Sequence, residues 1–75
     1  MEPYKNLGGN SGIKAYELLS DGIKIQFSDG SIYLYNDEFN GERAIKIMKG
    51  LAKKGIGLST YINQEIRSNF AQKIE

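Results

Sequence analysis

At 75 residues and a formal net charge of +1, the chain has room for one domain with a thin core. It contains no cysteine and no histidine, which excludes disulfides, thiolate nucleophiles, imidazole bases and ordinary zinc sites. The near-neutral total conceals a split: residues 1–42 hold three lysines and seven acids, residues 43–75 seven basic groups and two acids. The two halves therefore present opposite signs to a partner or to each other.

Residues 1–12, MEPYKNLGGNSG, carry Pro3, Gly8, Gly9 and Gly12 among polar neighbours and read as a flexible N-terminal arm. They lack the apolar run of a signal peptide, and no stretch reaches the roughly 20 apolar residues of a membrane span, so a soluble cytoplasmic protein without membrane partners is expected. A single domain then occupies residues 13–75. IKAYELL, 13–19, has the apolar and aromatic content of a strand and is expected to lie at an unpaired sheet edge. After the Asp21-Gly22 turn signal, IKIQFS alternates strictly, with Ile23, Ile25 and Phe27 on one face and Lys24, Gln26 and Ser28 on the other.

Asp29-Gly30 is a hairpin signal, read as a two-residue type I′ turn. That loop length sets Phe27 opposite Ile32, Gln26 opposite Tyr33, Ile25 opposite Leu34 and Lys24 opposite Tyr35. Ile32 and Leu34 then face the core, while Tyr33 and Tyr35 stand on the outer face beside Lys24 and Gln26. Phe39, within the polar connection NDEFNG, is expected to fold back onto the core.

A helix is predicted from about Asn40 to Lys54, with Asn40 as its cap and Ala44, Ile45, Ile47, Met48, Leu51 and Ala52 as its apolar stripe. Gly50 costs this helix ~1 kcal/mol against alanine and reads as a point of close backbone approach. Gly55 is a left-handed stop, with Ile56 folding back on Leu51. A second helix is predicted from Leu58 to Gln72, its stripe being Leu58, Tyr61, Ile62, Ile66 and Phe70 with Ile74 trailing. The predicted architecture is α+β: a three-stranded antiparallel meander followed by two helices packed on one face, β-β-β-α-α.

Several of these residues fall into the short motifs of a known family. Phe27, Gly30, Tyr33 and Tyr35 in FSDGSIYLY, Ser11, Ile13 and Tyr16 in SGIKAY, and Ala52, Gly55, Asn63, Ile66, Arg67 and Phe70 in the closing segment resemble the KTSC domain family. The resemblance covers most of residues 11–70. That family takes its name from a segment at the C-terminus of some lysyl-tRNA synthetases, so the resemblance implies contact with nucleic acid and no enzyme chemistry.

Three constellations are candidate binding surfaces. Arg43, Lys46, Lys49, Lys53 and Lys54 put five cations and no acid within 43–54, and Lys46, Lys49 and Lys53 share a stripe suited to phosphates. Tyr33 and Tyr35, beside Lys24, form an aromatic and cationic sheet surface on which bases can stack. Asn63 and Arg67 lie on the polar face of the second helix, where Arg67 can meet a phosphate or a carboxylate. No pair of carboxylates is placed on rigid elements as catalysis requires, and no cofactor or metal is implied. The leading expectation is a non-catalytic module that binds nucleic acid, most plausibly RNA. The alternative is a protein-interaction or self-association module that uses the edge strand and the opposite charges of its halves.

Overall fold

The computed structural model describes residues 1–9 and 11–75. Among these described residues, five strands form one antiparallel sheet in sequential order: β1 (Glu2–Pro3), β2 (Ile13–Leu19), β3 (Gly22–Phe27), β4 (Ile32–Asn36) and β5 (Gln72–Lys73). Between β4 and β5 come α1 (Asp37–Asn40), α2 (Glu42–Lys54) and α3 (Leu58–Tyr61), the last continuing as a π-helical turn over Ile62–Ile66. The fold is α+β, as predicted, with the central meander flanked by two additional short strands. Among the described residues, no helix is long and apolar enough to cross a membrane.

The N-terminal segment is not a free arm. Glu2 and Pro3 pair with Tyr16 and Ala15, and the Tyr4 amide donates to the Lys14 carbonyl at 3.0 Å. Tyr4 enters the core at 6% exposure, and the Leu7 amide reaches the Gly55 carbonyl. Pairing with β1 also corrects the expectation that β2 lies at an unpaired edge. Ile13 and Tyr16, three positions apart, would fall on opposite faces of a regular strand. A bulge between Ile13 and Ala15 shifts the register so that both reach the core.

The decisive local feature is the β3–β4 turn. Gly30 N–H donates to the Phe27 carbonyl, and Phe27 N–H donates to the Ser31 carbonyl. Gly30 sits at φ +93°. The loop is thus the three residues Ser28-Asp29-Gly30, a type I turn closed by a left-handed glycine, and not a two-residue turn. One extra loop residue moves the register by one: Ile23 pairs with Tyr35, Lys24 with Leu34, Ile25 with Tyr33 and Gln26 with Ile32. The predicted assignment of faces is therefore corrected. Tyr33 and Tyr35 share the inner face with Ile23 and Ile25, and Ile32 and Leu34 lie on the open face with Lys24 and Gln26.

The core joins this inner face to Ile45, Met48 and Ala52 of α2 and to Leu58, Ile62 and Ile66. Gly55, at φ +82°, ends α2 as predicted by returning its amide to the Leu51 carbonyl. Other helix details differ from expectation. Asn36 caps α1 by accepting from Phe39 N–H at 2.8 Å, while Gly41, without a side-chain cap, precedes α2. Phe39, Ile47 and Ile56 are exposed instead of folded inward. A Cβ at Gly50 would meet nothing within 4 Å, so no close backbone approach explains that glycine. The second helix stops at Ile66, well short of Gln72, because the chain reverses and adds β5 to β4, pairing Tyr33 with Lys73 and Leu34 with Gln72.

Candidate nucleic-acid interface

Alpha-helical geometry sorts the five cations of α2. Ile45, Met48 and Ala52 are buried against the sheet, which turns Gly50 outward. Arg43, Lys46, Lys53 and Lys54 all lie within about 60° of Gly50 in projection, and all four are exposed. They surround a spot that carries no side chain. Glu42, four residues before Lys46, is the acid at the start of this helix. Lys49 leaves the group: it is half-buried, and its ammonium donates to the Leu19 carbonyl at 2.5 Å and to the Ser20 carbonyl at 3.4 Å. The predicted Lys46/Lys49/Lys53 stripe is corrected accordingly, since Lys49 ties α2 to the β2–β3 turn.

The predicted sheet surface is dissolved by the register. Tyr35 is 2% exposed, and its phenol is pushed up to about 12, first by burial and then by its neighbour Tyr33. It offers no ring to a ligand on the open face. Lys24 stands on that face between Glu17 and Leu34, away from both tyrosines. Tyr33 is half-buried and packs edge-to-face with Phe27 and Phe70, at centroid distances of 5.6 and 4.6 Å. The Lys73 ammonium lies over the Tyr33 ring at 5.8 Å.

The structure brings Tyr33 together with Asn63 and Arg67, which the sequence placed in a separate group. All three line an open cleft of about 450 Å³, with Phe27 and Phe70 among its apolar walls. On the hairpin side, Asp29 accepts from both the amide and the hydroxyl of Ser31, at 2.9 and 2.6 Å. These bonds, led by the hydroxyl, hold its carboxyl below the usual carboxylate range. On the other side, Arg67 N–H closes the π turn on the Ile62 carbonyl, and Asn69 N–H returns to the Ile66 carbonyl at 3.0 Å.

Arg67 itself adopts φ 56°, ψ −125°. This is the first central position of a type II′ turn, where glycine dominates. An arginine there costs of order 1–3 kcal/mol in backbone strain. The turn is anchored from α1, where the Asn40 side chain donates to the Asn69 carbonyl. Sequence reasoning assigned Phe27 to the core and Phe70 to a helix stripe, and it overlooked Lys73. The signal for their convergence was the polar run Arg67-Ser68-Asn69, a poor continuation of a helix.

Comparison with family models, with curated proteins and with solved structures found no match for this chain.

Proposed function

We propose that this chain is a small non-catalytic module that binds RNA through the exposed face of α2. The observation that carries this reading is the set of four exposed cations, Arg43, Lys46, Lys53 and Lys54, gathered around the bare backbone of Gly50. Long flexible cations at the rim and no side chain at the centre let a phosphate backbone approach the helix closely. The resemblance of its short motifs to those of KTSC domains supports the RNA context, and a cytoplasmic setting fits this reading. The self-association reading draws less support, because β1 occupies part of the β2 edge that it requires.

The test is a fluorescence-anisotropy titration of labelled single-stranded and duplex RNA at increasing salt. Four phosphate contacts to a single strand give a log–log salt slope of about −3. Affinity should then fall roughly 50-fold between 50 and 200 mM salt. Reversal of all four residues to glutamate, with folding checked by circular dichroism, is expected to abolish binding. Undiminished binding by that variant, or no binding to any nucleic acid at low salt, refutes the proposal.

A further inference from the structure

We propose that the cleft between the Ser28–Ser31 turn and the Ile66–Asn69 turn binds one nucleotide unit, its base against the aromatic wall and its phosphate on Arg67 and Asn63. This site is separate from the α2 face and goes beyond the RNA reading above. Three independent features converge on it. The cleft, at about 450 Å³, lies within the range of small-molecule sites, roughly 300–1,000 Å³. Phe27, Tyr33 and Phe70 are half-buried and give it an apolar aromatic wall. Its two turns differ in charge: Asp29, Ser28 and Ser31 on the hairpin side, Arg67 on the other.

A nucleotide matches that polarity. Its phosphate is anionic and accepts a forked guanidinium, and its base carries N–H donors at the other end for a carboxylate. An aromatic carboxylate would satisfy Arg67 and add nothing to the two bonds that Asp29 already accepts from Ser31. The backbone adds a separate argument. Residue 67 occupies a conformation that glycine takes without cost, yet it is an arginine, and it lines the cleft. An arginine thus stands where turn geometry favours glycine, the kind of backbone strain that clusters at binding sites.

The experiment follows backbone amide NMR shifts of the full chain during titration with AMP, CMP, GMP and UMP. The expected result is a saturable change at Ser28–Ser31, Asn63 and Arg67–Phe70. Affinity is expected to be about tenfold lower for nucleosides without phosphate and for Arg67→Gly, as befits loss of a charged hydrogen bond. Because glycine suits this turn, Arg67→Gly should melt at or above the wild-type temperature, so lost binding is not lost folding. A 5′-phosphorylated single-stranded tetranucleotide distinguishes the sources. Binding tighter than the free nucleotide, and dependent on Arg67, assigns the unit to a strand end; equal binding assigns it to a free nucleotide. The fourfold glutamate variant of α2 should leave the mononucleotide titration unchanged, so the two readings fail separately. Absence of saturable shifts at millimolar nucleotide, shifts confined to α2, or undiminished binding by Arg67→Gly overturns the proposal.

Discussion

Two glycine-to-alanine substitutions should change stability in opposite directions. At Gly22, the first residue of β3, an added Cβ would sit 2.3 Å from the Tyr35 carbonyl oxygen and 3.1 Å from the Asn36 Cα and Cβ. The nearest two are backbone atoms of the neighbouring strand and cannot swing aside. Relief requires β3 and β4 to part by about 1 Å at this pair, against an ordinary contact of about 3.5 Å. That movement disturbs the Gly22–Asn36 pairing and the adjacent bond from Asp37 N–H to the Asp21 carbonyl, now 2.8 Å. One or two backbone hydrogen bonds at about 1 kcal/mol each, together with about 1–3 kcal/mol of overpacking, give an expected loss of roughly 2–5 kcal/mol. A chain of this size has roughly 4–11 kcal/mol of stability, so the variant unfolds outright only if the parent lies at the lower end. At Gly50 the added methyl meets nothing, and the expected gain is about 0.5–1 kcal/mol from helix propensity. Urea unfolding followed by circular dichroism at 222 nm (about the helix minimum) measures both, with unchanged m-values as the condition for comparison. A Gly22→Ala loss below about 0.5 kcal/mol would refute the reasoning, because the strands would then have room that the β3–β4 register denies them.

Three further outcomes are expected. Lys49→Met removes the ammonium that holds the Leu19 carbonyl and should cost about 1 kcal/mol in urea unfolding while leaving RNA affinity unchanged, unlike substitutions at Lys46 or Lys53. Tyr35 is pushed up to about 12 in the folded chain, against about 10 when unfolded, so the unfolded state loses this proton first. Its contribution is complete below about pH 10 and is lost as pH rises toward 12, by up to about 1.4 kcal/mol per pH unit; Tyr35→Phe should flatten that alkaline decline in a pH series of melts. Tyr4→Ala should cost about 3–4 kcal/mol by thermal unfolding, since Tyr4 is buried in the core, whereas a mobile arm would tolerate the change.

Much of this fold was legible because its signals are local. Strict alternation from Ile23 to Phe27, the Asp-Gly reversal, the apolar period of α2 and the left-handed stop at Gly55 each depend on a few neighbouring residues. The exposed cations of α2 were legible for the same reason, because a helix period assigns its outer face. Lys49 was the exception, drawn away by a carbonyl some thirty residues distant in sequence.

Tertiary structure decided what local preference leaves degenerate. Asp-Gly serves a two-residue loop and a three-residue loop alike, and the difference of one residue exchanges the faces of β4. IYLY is apolar at every position, so its own pattern could not choose; the choice fell to the aromatic wall that Tyr33 builds with Phe27 and Phe70 and to the pocket that encloses Tyr35. Ile66, Phe70 and Ile74 likewise keep a helical spacing past the point where the chain turns. Pairing of β5 with the free edge of β4 outweighed that spacing, because hydrogen bonds to a distant strand are invisible to periodicity. Sequence alone therefore determined the reversals at Asp21-Gly22, at Asp29-Gly30 and at Gly55, and which face of α2 is charged. Only the assembled sheet determined which way its tyrosines point, since a hairpin's faces depend on loop length and on partners far away in the chain.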